Sequence, residues 1–262
     1  MSMLAAEGIA KSYSSRPGRR AQRQAVLEEV TLRCAEGECL GIIGASGSGK
    51  STLGRILLGL ERPDQGKVTI DGRERAHRDA VSAVFQDYRS SIHPFFTVRQ
   101  ALLEPLRGKR LGRAETDRRL EEMLEQVGLD GSYLERYPHE LSGGQAQRVC
   151  IARALLTGAR WIVLDEAVSS LDASVQAQVL ELLERIRGMH GIGYLFITHD
   201  LEAAAFLCDR IAILHEGRIV ETLARGRLGE ARHPYARELL ALFRSGLGTG
   251  TGALNADKEG KG

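Results

Sequence analysis

Gly44-Ala45-Ser46-Gly47-Ser48-Gly49-Lys50-Ser51 is the most informative run in this sequence, and Thr52 follows it directly. It fits the pattern G-x-x-x-x-G-K-[ST] and lies between an apolar run at residues 38–43 and an amphipathic run at residues 51–60. Glycines let backbone N–H groups turn inward around phosphate oxygens, and the following helix adds its positive dipole end. We expect residues 44–52 to bind nucleotide phosphates, with Lys50 on the β- and γ-phosphates and Ser51 on Mg²⁺. A simple Gly/Ser loop is the alternative.

A second motif joins an apolar run to two carboxylates. Trp161-Ile162-Val163-Leu164 precedes Asp165 and Glu166. Open α/β sheets bind ligands at the carboxyl ends of their strands. Phosphoryl transfer requires a carboxylate for the metal and a group that positions water, so we expect Asp165 to hold Mg²⁺ and Glu166 to orient or deprotonate the attacking water. Alone, a strand that ends in Asp-Glu is more often a solvated turn. After a phosphate loop, it indicates a nucleoside triphosphatase.

Short apolar runs alternate with amphipathic runs along most of the chain. The predicted strands are residues 38–43, 67–70, 80–85, 161–164, 194–198, 210–214 and 218–222, and the predicted helices are residues 51–60, 113–127, 145–156 and 174–187. Strands separated by helices favour an α/β fold with a largely parallel sheet. Hairpin-like runs at both ends predict a smaller antiparallel sheet beside it. Residues 14–24 are predicted to form an exposed loop, and the glycine-rich residues 245–262 a flexible tail.

Composition excludes several classes of function. The chain has 262 residues, with 36 Lys+Arg against 34 Asp+Glu, so its net charge of +2 gives no support to non-specific binding of nucleic acid or of a membrane surface. It shows neither an apolar run of about 20 residues for a membrane span nor a signal-peptide pattern. The four cysteines are scattered, and Cys34 and Cys39 lack further ligands at metal spacing, so we expect structural thiols in a reducing cytosol.

Leu141-Ser142-Gly143-Gly144-Gln145 points to a family. It resembles LSGGQ, the signature of the ATP-binding-cassette (ABC) ATPases, and the resemblance covers residues 2–244. It implies a P-loop NTPase fold with a RecA-like parallel sheet core, an antiparallel β subdomain and a helical signature subdomain at about residues 88–158. The implied ligands are ATP and Mg²⁺. Residues 142–145 are then expected to face the γ-phosphate bound by a partner subunit, so that two cassettes close around two ATP molecules.

Other residues match the family one by one. Tyr13 stands where the family has an adenine-stacking aromatic residue, and Gln86 where it has a glutamine that touches Mg²⁺ or the attacking water. Asp172 matches the loop that crosses the dimer, and His199 the histidine that contacts the γ-phosphate. The remaining histidines lack a motif and are predicted to be surface or turn residues: His77, His93, His139, His190, His215 and His233.

Two segments narrow the resemblance to the importers of peptides and nickel. His233-Pro234-Tyr235-Ala236 looks like the HPYT element of that subfamily, and Ala167-Val168 resembles the second ATPase of nickel and metallophore–metal importers. This implies a heterodimer with a paralogous cassette on two membrane permeases, at the cytoplasmic face of a bacterial inner membrane. A periplasmic binding protein would act indirectly, and nucleic acid is not an expected partner.

The expected cargo is therefore nickel or a metal chelate. A di- or oligopeptide importer remains the alternative. A soluble ABC protein that acts on nucleic acid or ribosomes is disfavoured by the element at residues 233–236 and by the near-neutral charge. Two segments depart from the subfamily: residues 72–80 are short, and residues 92–96 are unusual where contact with the membrane subunit is expected. No Cys follows Cys208, so we expect no iron–sulfur cluster.

Overall fold

The structure is a computed structural model, and it describes residues 2–14, 23–74, 80–87 and 91–244. The predicted tail at residues 245–262 lies outside the described residues, as do residues 75–79 of the short segment and most of the predicted loop at residues 14–24. The two ends of that loop prediction are wrong, because Ser14 ends one strand and Arg23 begins the next. None of the helices in the described part of the chain is long and apolar enough to cross a membrane.

The strands fall into two sheets. In chain order they are β1 (Met3–Ser14), β2 (Arg23–Ala35), β3 (Cys39–Ile43), β4 (Gln65–Ile70), β5 (Arg73–Glu74), β6 (Val81–Phe85), β7 (Trp161–Asp165), β8 (Gly193–Thr198), β9 (Arg210–His215) and β10 (Arg218–Ala224). The larger sheet has the order β10-β9-β3-β8-β7-β6, and its strands from β9 to β6 pair in parallel. The smaller sheet has the order β2-β1-β4-β5 and is antiparallel. The predicted α/β class is confirmed.

The central strands are apolar throughout because both faces of the larger sheet are covered. Successive side chains of a strand point to opposite faces. Trp161 and Val163 of β7 pack on the face of the sheet that β1 and β2 cover. Ile162 and Leu164 pack on the opposite face, in the larger cluster of buried residues, which we call the main core. Parallel sheets with two covered faces have this continuous apolar pattern. It leaves only the strand ends free for polar groups.

The helices are α1 (Lys50–Leu57), α2 (Val98–Leu103), α3 (Arg113–Gln126), α4 (Gly143–Leu156), α5 (Ala173–His190), α6 (Leu201–Leu207) and α7 (Pro234–Arg244). The predicted helix at residues 51–60 ends early, because Gly59 has a φ of 68°. The predicted helix at residues 174–187 runs one turn further and stops at Gly191, which is left-handed. Along the chain, helices α2, α3 and α4 lie between β6 and β7, where the helical subdomain is predicted.

One prediction of sheet membership is half wrong. The N-terminal hairpin, β1 and β2, does belong to the smaller antiparallel sheet. The C-terminal hairpin, β9 and β10, belongs instead to the larger sheet, because β9 pairs in parallel with β3. Hairpin spacing is a local signal and does not report which sheet the hairpin joins. The result places the β9–β10 turn beside the loop that follows β3.

Candidate functional site

The glycine-rich loop connects β3 to α1, as predicted. Two of its glycines leave no room for a side chain: a Cβ on Gly44 would lie 2.1 Å from the Leu214 carbonyl oxygen, and one on Gly49 would lie 2.7 Å from the Val26 carbonyl oxygen. Gly49 also has a φ of 106°, a conformation that side chains rarely adopt. Ala45, Ser46 and Gly47 are exposed. The loop is thus bent tightly around the N-terminus of α1, with its outer residues open to a ligand.

Lys50 folds back over this loop. Its side chain is buried, and Nζ donates hydrogen bonds to the carbonyl oxygens of Gly44 at 2.8 Å and Ala45 at 3.0 Å. Burial lowers the pKa of Lys50, and the nearby carboxylates of Glu166 and Asp165 oppose that shift. A buried ammonium at a helix N-terminus is arranged to hold an anion such as a phosphate group.

Asp165 ends β7, and its charge acts on Lys50 across the site. Burial, followed by the charge of Glu166, raises the pKa of the Asp165 carboxyl, while Arg55 and Lys50 oppose the shift. Its buried Oδ1 has no hydrogen-bond partner among the described residues. A carboxylate oxygen that is buried, unpaired and beside a second carboxylate fits a divalent cation, since Mg²⁺ prefers oxygen ligands. Ser51 is exposed in the first turn of α1, the predicted position for the second ligand.

Glu166 and His199 are brought together from two strands. The His199 Nδ1 lies 2.9 Å from Glu166 Oε2, and His199 follows the end of β8. Glu166 has a φ of 51°, and its backbone N–H donates to the Ile197 carbonyl at 2.9 Å. A left-handed glutamate is uncommon, and such strain concentrates at functional sites. The Glu166 carboxylate lies against His199 at the carboxyl ends of β7 and β8.

Gln86 lies next to Asp165 along the same edge. It follows β6, whose last residue, Phe85, is in register with Asp165. Gln86 is exposed, and its backbone carbonyl oxygen accepts a long hydrogen bond of 3.5 Å from the Ser170 hydroxyl. The predicted catalytic residues therefore share one end of the larger sheet.

Asp172 has a structural role within this chain. Its carboxylate caps α5 by accepting a hydrogen bond from the Val175 N–H at 3.1 Å, and that bond lowers the pKa of the carboxyl. Side chains of this type are preferred at helix N-termini. The residue is predicted to reach a nucleotide across a dimer, and within this chain its contacts are those of a helix cap.

The signature residues form a second helix N-terminus. Ser142 and Gln145 make a reciprocal capping box at the start of α4, and the Gln145 side-chain amide also donates to the Tyr133 hydroxyl at 2.9 Å. Gly144 packs against α5, where a Cβ would lie 2.5 Å from Val175 Cγ1. Gly143 precedes it in the first turn. The contacts of this motif lie within the helical part and α5, so it forms a separate cradle from the loop at Lys50.

Tyr13, the predicted adenine platform, is held by two residues that sequence reasoning missed. Its hydroxyl donates to Glu61 Oε1 at 2.6 Å, and Arg55 Nε donates to the same carboxylate at 3.1 Å. Arg55 also reaches the hydroxyl of Thr52 at 3.2 Å, which links the aromatic ring to the phosphate loop. The hydrogen bond from Tyr13 lowers the pKa of Glu61. Neither residue belongs to a motif, so only tertiary placement identifies them.

Comparison with known proteins agrees with this geometry. The family described as "ABC transporter" matches residues 27–169. The metal-staphylopine import system ATP-binding protein CntF of Staphylococcus aureus is 41% identical over 250 residues, which cover 91% of this chain and 98% of that protein. The nickel import ATP-binding protein NikE of Rhodospirillum rubrum is 43% identical, with 90% of each protein covered. A putative oligopeptide transport ATP-binding protein, YkfD of Bacillus subtilis, is 42% identical over 82% of this chain and 69% of that protein.

A solved structure shows the same fold. The ATP-binding cassette MJ0796, described as a dimer in a post-hydrolysis state bound to ADP and Pi, superposes with a TM-score of 0.74 at 29% identity. The alignment covers 85% of this chain and 98% of the other. The phosphate loop, the paired carboxylates and the signature helix thus occur in one known architecture, and this chain belongs to the ABC transporter family as an ATP-binding cassette.

Proposed function

We propose that this chain hydrolyses ATP to drive the uptake of nickel or a metal chelate by a bacterial importer. One observation carries the ATPase part: Lys50, Asp165 and the Glu166–His199 pair meet at one end of the sheet. Water attacks the γ-phosphate, and ADP and phosphate are the products. Phosphoryl transfer is catalysed mostly by positioning and charge, which this constellation supplies.

Each residue has a part in this reaction. The loop amides of residues 44–52 bind the phosphates, and Lys50 neutralises charge on the β- and γ-phosphates. Glu166 orients the attacking water and accepts its proton. His199 holds the Glu166 carboxylate through the 2.9 Å contact and contacts the γ-phosphate. Tyr13 stacks on the adenine.

Mg²⁺ fits the same site. Asp165, Ser51 and Gln86 would hold it, and the unpaired Oδ1 of Asp165 is the observation that favours a cation there. When bound, Mg²⁺ neutralises charge on the phosphate oxygens. The neighbouring carboxylates of Asp165 and Glu166 repel each other, and a cation bound beside them would relieve that repulsion.

The second cradle supports a dimer. We propose that Ser142, Gly143, Gly144 and Gln145, together with Asp172, face the nucleotide held by a partner cassette. The N-terminus of α4 offers backbone N–H groups to an anion. The structural neighbour MJ0796 is described as dimeric, which supports this arrangement. The subfamily resemblance favours a paralogous chain as the partner over a second copy. Residues 2–244 would form the cassette, with about residues 88–158 as its helical subdomain.

The relatives favour metal as the cargo. Their printed names describe import of a metal-staphylopine complex and of nickel. We propose two membrane permeases as partners, a periplasmic binding protein that acts indirectly, and a location at the cytoplasmic face of the inner membrane. Phe95, which is 80% exposed beside His93 and Phe96, suits contact with a permease. A peptide importer is the second candidate, and the putative oligopeptide relative favours it.

Uptake in a deletion strain tests the cargo. The strain is complemented with the full-length chain or with its Lys50→Ala variant, and entry of radioactive nickel and of a labelled dipeptide is followed. We expect the native chain to restore nickel uptake, with or without an added chelator. The Lys50→Ala variant should not restore it. Restored dipeptide entry with unchanged nickel entry would favour the second candidate. A Lys50→Ala variant that restores uptake fully would contradict ATP-driven transport.

A further inference from the structure

Tyr235, in the element at residues 233–236, reaches the phosphate loop from the C-terminal helix. Its hydroxyl oxygen accepts a hydrogen bond from the Ala45 backbone N–H at 3.1 Å. Its ring stacks on His215, with the ring centroids 3.7 Å apart and the planes 16° apart. His215, predicted to be a surface or turn residue, instead ends strand β9 and is half-buried in this pair of rings. The ATPase reaction described above uses neither side chain.

The Ala45 N–H belongs to the same peptide group as the Gly44 carbonyl. A trans peptide is planar, and its N–H and C=O point in opposite directions. On one side, the N–H donates to Tyr235; on the other, the C=O accepts from Lys50 Nζ at 2.8 Å. The peptide group is thus held between a tyrosine hydroxyl and the ammonium that is predicted to bind phosphate. A rotation of this group would move the carbonyl that anchors Lys50.

Tyr235 is itself placed by rigid elements. Helix α7 buries Ala236 and Leu240 in the main core. The N–H groups of Arg232 and His233, just before the helix, donate to the Glu221 carboxylate at 3.0 Å. The turn after β9 adds a further contact, because the Gly217 N–H donates to the Ser48 carbonyl at 3.2 Å. The C-terminal part of the chain therefore supports the loop at two points.

We propose that Tyr235 is a positioning residue for ATP binding. Through the Gly44–Ala45 peptide, its hydroxyl fixes the place of the Lys50 ammonium and so couples helix α7 to the nucleotide site. The inference rests on the proposed contact of Lys50 with the phosphates. Net contributions of single hydrogen bonds correspond to changes of about two- to twelve-fold in an equilibrium constant.

The test is a Tyr235→Phe variant of the full-length chain. The variant keeps the ring that stacks on His215 and removes only the acceptor oxygen. Affinity for MgATP is measured by titration calorimetry, and KM and kcat for ATP by phosphate release. We expect the dissociation constant and KM to rise about three- to ten-fold while kcat stays within two-fold, because the effect is on nucleotide binding.

Tyr194→Phe is the matched control. The Tyr194 hydroxyl donates to the Leu183 carbonyl at 3.1 Å, and the residue lies near the start of β8, at the opposite end of the strand from His199. The Tyr194→Phe variant loses one tyrosine hydrogen bond far from the phosphate loop, so its affinity for ATP should be unchanged. His215→Ala removes the ring that stacks on Tyr235 and leaves the phosphate loop unchanged, so it should weaken affinity in the same direction as Tyr235→Phe does.

The outcomes separate this inference from the proposed ATPase function. Weaker affinity in Tyr235→Phe and His215→Ala, with native affinity in Tyr194→Phe, supports the positioning role. If Tyr235→Phe does not fold, His215→Ala alone decides. Native affinity in every variant that folds overturns the inference and leaves the ATPase function standing, provided that Lys50→Ala loses binding. A native chain that does not bind MgATP would overturn both.

Discussion

The two helix N-termini at Lys50 and at Ser142 differ in what surrounds them. The first begins with Lys50, a buried cation near two carboxylates, and an exposed glycine-rich loop precedes it. At the second, the side chains of Ser142 and Gln145 satisfy the helix's own end. The first has the groups that we propose bind and hydrolyse a nucleotide, whereas the second offers amides and a hydroxyl. We infer that one is a nucleotide site and the other completes a site elsewhere.

The largest predicted effect separates chemistry from binding at the first site. Glu166→Gln removes the carboxylate that we propose accepts a proton from water, so kcat should fall about 10²- to 10⁴-fold while ATP still binds. Phosphate release and equilibrium binding of labelled ATP measure the two effects. Glu202→Gln, at an exposed position of α6, is the control and should hydrolyse normally. Native turnover by the Glu166 variant would show that another group activates the water.

The helix N-terminus at Ser142 is tested through the packing of Gly144 against Val175. Gly144→Ala places a Cβ 2.5 Å from Val175 Cγ1, so it should lower the free energy of unfolding by about 1–3 kcal/mol, as overpacking does. Adding Val175→Ala makes room and should recover most of the loss. Denaturant unfolding measures both. An unchanged stability in Gly144→Ala would contradict the packing role, and equal losses in the single and double variants would contradict the assigned contact.

Burial of the Asp165 carboxyl, with the charge of Glu166 beside it, predicts a stability effect at the first site. The raised pKa of Asp165 means that the folded chain holds this proton more tightly than the unfolded chain does. Its ionised carboxylate therefore costs stability above the ordinary pKa of 3.8, and the cost is absent below it. Asp165→Asn should melt higher than the native chain at pH 7.5 without nucleotide, and the gap should narrow as the pH falls toward 3.8. Thermal unfolding at several pH values checks this, and a lower melting temperature at pH 7.5 would contradict it.

The smallest expected effect concerns the adenine platform. Glu61→Gln weakens the acceptor of the 2.6 Å hydrogen bond from Tyr13, so the ring should be held less firmly. We expect KM for ATP to rise about two-fold with kcat unchanged, since hydrogen bonds to charged groups at exposed sites contribute little. Glu74→Gln, on the exposed edge strand β5, is the matched control. A larger effect on kcat than on KM would argue against a role confined to the base.

The sequence predicts the phosphate loop and the strand that ends at Asp165 better than it predicts the long-range contacts that hold them in place. The loop at residues 44–51 and the strand that ends at Asp165 are local patterns, and both lie where local rules place them. The parallel pairing of β9 with β3, the stack of Tyr235 on His215 and the anchoring of Tyr13 by Glu61 join residues that are far apart along the chain. Periodicity and spacing describe only neighbouring residues, so these contacts required the folded chain.

Nucleotide stoichiometry tests the contrast between the two helix N-termini most directly. Titration calorimetry with MgATP is carried out on the full-length native chain and on its Lys50→Ala and Ser142→Ala variants. The account predicts one ATP per native chain, no measurable binding to Lys50→Ala, and one ATP bound with near-native affinity by Ser142→Ala. Binding that survives Lys50→Ala but is lost in Ser142→Ala would reverse the assignment and contradict it.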